Sequence, residues 1–160
     1  MKIRLLVFTL LLSMGMATSA RARLGETESA VLARYGKPSY KMHCAWGNQE
    51  GFSMNGFSIA VTFIDGVSRG ELFTCSGHAI TDEQASDLLS ANSEGYSWYE
   101  VEKANIPKTG YPPIKQMWQR PNGSTAVLTD SSFEFKSIYL ILAQQDAANQ
   151  KPAAPSTRGF

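Results

Sequence analysis

Two tight turns constrain this 160-residue chain more than any other feature of it. Asn55-Gly56 and Asp65-Gly66 are dipeptides that accept positive φ at both central positions of a two-residue hairpin. Between them Phe57 to Ile64 alternates. Phe57, Ile59, Val61 and Phe63 fall on one face, Ser58, Ala60 and Thr62 on the other. The turns also set a register. Across Asn55-Gly56, Met54 faces Phe57 and Phe52 faces Ile59; across Asp65-Gly66, Ile59 faces Leu72 and Thr62 faces Arg69. Cross-strand partners share a face. The pattern therefore predicts a buried side of Phe52, Met54, Phe57, Ile59, Val61, Phe63 and Leu72. Ser53, Ser58, Ala60, Thr62, Arg69 and Glu71 fall on an open side. The expected result is an antiparallel meander with one covered face.

The cover is written just upstream, in Leu24 to Ser39. Thr27 can cap a helix by accepting from a backbone N–H in its first turn. Glu28 follows, where the helix dipole favours an acid. Val31 and Tyr35 share a face four residues apart. Gly36 and Pro38 stop the helix. Tyr40 to Trp46 reads as a strand and Gly47 to Gly51 as a loop.

The plan then restarts. Thr81 to Gln84 is a capping box, and Ala85, Leu88 and Leu89 form the apolar face of a second helix. Ser97 to Glu102 reads as a strand and Lys103 to Pro113 as an irregular loop. Ile114 to Arg120 and Thr125 to Thr129 flank a third hairpin turn, Asn122-Gly123. A last strand is expected from Phe133 to Leu142, with a polar, Ala- and Pro-rich tail after it. The expected fold is α+β: a tandem pair of helix-plus-antiparallel-meander modules, with the helices on one face of a curved antiparallel sheet. The boundaries predicted are 1–22 for a signal peptide, 23–78 and 79–143 for two modules in one compact body, and 144–160 for a disordered tail.

The leader rests on Lys2 and Arg4, the apolar run Leu5 to Met16, and the small-x-small site Ala20-Arg21-Ala22. It predicts a periplasmic or secreted protein cleaved near Ala22. No cysteine follows the run, so no lipid anchor is expected. Three of the 15 basic residues (Lys2, Arg4, Arg21) lie in the leader, leaving 12 against 14 acids. That near-neutral balance lacks the basic stripe of a nucleic-acid binder. The two cysteines, Cys44 and Cys75, form an even pair in an exported chain, so one disulfide is expected.

Catalytic constellations are absent from the sequence. His43-Cys44 and Cys75-x-x-His78 contain every histidine and cysteine. Strand neighbours such as His43 and Cys44 point to opposite faces, which argues against one shared metal. No serine sits in a nucleophile elbow and no glycine-rich phosphate loop is present. No enzyme activity, cofactor or metal is expected. The second half is rich in aromatics. Trp98, Tyr99 and Trp118 are either core and sheet packing or anchors for a protein partner, since Tyr and Trp dominate interface energetics.

The opening motif, Gly25-x-Thr27-x-x-x-Val31-x-x-x-Tyr35-Gly36-x-Pro38, resembles the start of the SmpA/OmlA (BamE) family of outer-membrane assembly lipoproteins, with Tyr35 in place of a leucine. A tandem version of that fold occurs in the β-lactamase inhibitor protein. The opening also resembles small exported bacterial proteins of unknown function. The resemblance covers Gly25 to Thr74 and implies a fold; its motif residues are caps, a stop and a core valine. The expected function is an exported, non-catalytic envelope protein that binds an envelope or secreted protein as an adaptor or inhibitor-like module. The alternative is a lipid- or small-ligand-binding periplasmic domain.

Overall fold

The computed structural model describes residues 23–107 and 112–150. The expected signal peptide, part of the proline-bearing loop and residues 151–160 lie outside these. In chain order the elements are α1 (Glu28–Tyr35), β1 (Tyr40–Cys44), β2 (Gly47–Met54), β3 (Phe57–Ile64), β4 (Val67–Cys75), α2 (Asp82–Ala91), β5 (Tyr99–Glu100), β6 (Gln116–Gln119), β7 (Thr125–Leu128), β8 (Ser132–Lys136) and α3 (Ile138–Gln150).

The locally written signals form as read. Thr27 Oγ1 accepts from Ala30 N at 3.3 Å, and Gly36 ends α1 at φ +79° with its N–H on Leu32 O. Thr81 and Gln84 close the capping box of α2. Asn55, Gly56, Asp65 and Gly66 all take positive φ. The β2–β3 register matches too, with Met54 opposite Phe57 and Phe52 opposite Ile59.

The β3–β4 register does not. Ile64 pairs with Val67 and Phe63 with Ser68, but Thr62 pairs with Gly70, so Arg69 is an extra residue in β4. Beyond this bulge Val61 faces Glu71 and Ile59 faces Phe73. A one-residue slip exchanges the faces of a strand. Glu71, expected on the open side, is buried, and Leu72, expected in the core, lies on the open side. The cause is long-range. The bulge turns Ser68 inward, where its backbone bonds Gly25 N and Glu26 O and its hydroxyl donates to Arg23 O. On the other side, Arg69 O accepts from Ser137 N.

The strands form one eight-stranded antiparallel sheet in the order β1-β2-β3-β4-β8-β7-β6-β5. This corrects the expected tandem pair of modules: the sheet runs on unbroken through the β4–β8 ladder, and the second half does not repeat the first, because β5 is reduced to two residues and a further helix follows β8. Gly47 to Gly51 is strand rather than loop, because the chain already turns at Ala45-Trp46. The last strand ends at Lys136, and Ile138–Gln150, expected as strand end and tail, is helical.

One face carries the core. Val31 and Tyr35 of α1 and Ala85 and Leu88 of α2 pack on Phe52, Ile59, Val61, Phe73, Phe133 and Phe135. Aromatic edges tie it together, with Phe57–Phe73 at 5.9 Å and Phe133–Phe135 at 4.5 Å between ring centres. The helices do not all share this face. Leu140 of α3 packs against Gly70, whose register partner Thr62 belongs to the opposite side; a Cβ at Gly70 would run into the Leu140 side chain.

Candidate functional site: the open face of the sheet

Register and pleat place Tyr40, Gly51, Ala60, Leu72, Glu134 and Val127 in one line across the open face. A second line holds Ser53, Ser58, Thr74 and Ser132. Tyr40 lies over Gly51, where any Cβ would strike the ring. Its hydroxyl donates to Gln49 Oε1 at 3.4 Å. Tyr40, Ser53, Ser58, Ala60, Leu72 and Thr74 line a shallow hollow of about 260 Å³. On this face Glu134 pairs with Lys136 at 3.1 Å. At one end α3 crosses the face, and Arg69 stacks on Tyr139 at 4.4 Å. A larger hollow of about 690 Å³ lies between Trp46 and the Ala143 and Ala147 side of α3.

The three aromatic candidates separate. Tyr99 sits on the edge strand β5 opposite Gln119, on the open face, and is 62% exposed. Trp98 and Trp118 turn to the helix side. Trp98 packs 5.8 Å from Phe135 and donates to Leu89 O at 3.0 Å, and Trp118 packs 5.4 Å from Phe133. Tyr40 and Leu72 were not singled out by sequence reasoning. Tyr40 carried only a strand assignment, and the bulge hid Leu72.

The expected Cys44–Cys75 disulfide does not form, and both thiols are free. Cys44 pairs with Gly47 at one end of the strands and Cys75 with Phe57 at the other. About seven strand residues separate them, roughly 20 Å, whereas a bridge needs Cα atoms within about 7 Å. Burial pushes the Cys75 thiol above its ordinary value.

The helix side holds the unusual electrostatics. Lys41 bridges Glu50 and, at 3.1 Å, Glu28; the Glu50 contact, then Glu28, raises its pKa. Arg34 pairs bidentately with Glu26, which raises its pKa. The Arg120 side chain is fully buried, stacked 4.0 Å over Trp98, with Nη1 on Glu94 at 2.6 Å. Glu71 is 2% exposed, and neither carboxyl oxygen has a hydrogen bond of good geometry. Desolvation holds its pKa up to about 8; the facing Asn92 side chain opposes this, Glu26 and Glu94 add to it, and Arg34 works against it.

No nucleophile is paired with a base among these groups. His43 Nδ1 meets Asn48 Oδ1 at 2.9 Å and His78 Nδ1 meets Ala79 O at 3.0 Å. Among the described residues no three His, Cys, Asp or Glu side chains stand where one metal ion could be held. Nor is any described helix long and apolar enough to cross a membrane. Comparisons with protein-family models, curated proteins and solved structures find no match to this chain.

Proposed function

We propose that this is an exported, non-catalytic module of the cell envelope that binds another protein on the open face of its sheet. The observation carrying this reading is the composition of that face. Tyr40 and Leu72 flank Ala60 and a row of hydroxyls, the nearby Glu134 is paired with Lys136, and the hollow is shallow. Rigid aromatic and aliphatic anchors among neutral hydrogen-bonding groups suit protein recognition. Export is supported by Lys2, Arg4, the apolar run and Ala20-Arg21-Ala22, and an envelope setting by the likeness of Gly25 to Pro38 to the SmpA/OmlA motif.

The test is a photo-crosslinking amino acid placed at Ser58, in the hydroxyl line beside Tyr40 and Leu72, in cells of the source organism. The reading predicts one discrete protein adduct, lost when Leu72→Arg is added and absent when the same probe is placed at Asp65 on the turn. Adducts equal at Ser58 and Asp65 contradict it. A second reading, lipid or small-ligand binding, draws on the hollow beside Trp46. It predicts a co-purifying small molecule in native mass spectrometry that Ala147→Trp displaces.

A further inference from the structure

The segment leading into α1 is held like a clasp. Gly25 N donates to Ser68 O and Ser68 N to Glu26 O, each at 2.8 Å, and Glu28 N donates to Gly66 O at 3.1 Å. Thr27 makes an isolated bridge to Val67. Leu24 N donates to Asn92 Oδ1 at 2.9 Å, and its side chain is buried in the core. Asn92 is itself fully buried, with Nδ2 on Leu88 O at the end of α2. The clasp thus joins the start of β4, α1 and the end of α2 through a handful of bonds.

Glu71 is buried against this clasp, facing the Asn92 side chain but with neither oxygen in a hydrogen bond of good geometry. The groups that face it come from each element packed there. They are Glu26 of the clasp, Arg34 of α1 with Tyr35 beside it, Asn92 at the end of α2, and Glu94 just after it. Its ladder partners Val61 and Phe135 are apolar. Both cations nearby are committed, Arg34 to Glu26 and Arg120 to Glu94. A charge on Glu71 would be a third carboxylate in a water-poor site, which is costly without a partner. Water must then be let in. The sheet cannot yield, because β4 is bonded to β3 and β8 on both sides. The clasp can open without breaking either of these ladders.

We propose that Leu24–Thr27 is a pH-responsive latch, closed over neutral Glu71 and released when Glu71 loses its proton. Opening lets Glu71 ionise in water near the ordinary carboxylate value, whereas in the closed state it holds its proton up to about 8. Opening is therefore favoured by about tenfold per pH unit between those two limits and levels off above the upper one. The inference is independent of what binds the open face.

Amide hydrogen exchange tests it, read as protection factors so that the intrinsic pH dependence of exchange cancels. At Leu24, Gly25 and Ser68, protection is expected to fall about tenfold per unit between pH 6 and 8, while Val61 and Phe73, which exchange only through global opening, stay far better protected at every pH. Glu71→Gln is expected to make latch protection flat across this range. A pH-independent latch in the native protein, or latch amides as well protected as those of the sheet, overturns the proposal. So does an unchanged slope in Glu71→Gln. Should Glu71→Gln fail to fold, the contrast between latch and sheet amides in the native protein decides alone.

Discussion

At the scale of single residues, Glu71 is where local pattern and structure part. In sequence it alternates with Arg69 as a solvent-facing residue; in the fold it is 2% exposed. Its pKa, raised from 4.5 to about 8, means that the folded protein keeps a proton that the unfolded chain releases. The associated stability is fully present below about pH 4.5 and is lost as pH rises through 8. The melting midpoint should therefore decline from about pH 5 to 8, through an effect on the order of a few kcal/mol. Glu71→Gln should flatten the profile and raise the midpoint at pH 8, as thermal denaturation in matched buffers will show. Gly70 illustrates a second constraint of one residue. Its missing side chain makes room for Leu140, so Gly70→Val should cost about 1–3 kcal/mol by overpacking, measured by urea denaturation.

At the scale of elements, legibility follows range. Helix α1, the capping box of α2 and the turns at Asn55 and Asp65 are encoded within a few residues of themselves, and each forms as written. The β1–β2 hairpin was missed because Ala45-Trp46 carries no Asn-Gly or Asp-Gly signal. Helix α3 was misread because Ile138 to Ala143 is apolar at every position, a run that does not separate strand from buried helix. Its start is fixed instead by Ser137, whose N–H reaches Arg69 O and whose Oγ accepts from Leu140 N. Only Leu140 of α3 is buried, and it is the side chain that seats the helix over Gly70. Leu140→Asp should release α3, giving trypsin or chymotrypsin cleavage after Lys136 or Tyr139 within minutes, with the sheet circular-dichroism signal retained.

At the scale of the molecule, the β4–β8 ladder is decisive. It turns what looked like two modules into one sheet, with the core and two helices on one side and a broad open face on the other. The β1–β2 and β3–β4 pairings leave the two cysteines at opposite ends of the strands, so intact mass should be the same with and without reductant, and two thiols should titrate in denaturant. Nothing in a two-residue turn announces the Arg69 bulge, which is set by Ser68 bonding the Leu24–Glu26 segment and by Ser137 on the far side. Yet that bulge decides which side chains of β4 any partner would meet, and it sends Glu71 to the latch. Thiol labelling tests it most directly, in a background with Cys44→Ser and Cys75→Ala, comparing Glu71→Cys with Leu72→Cys under native conditions. The bulged register predicts fast modification at position 72 and protection at position 71. Fast modification at 71 with protection at 72 would restore the unbulged register and contradict the account.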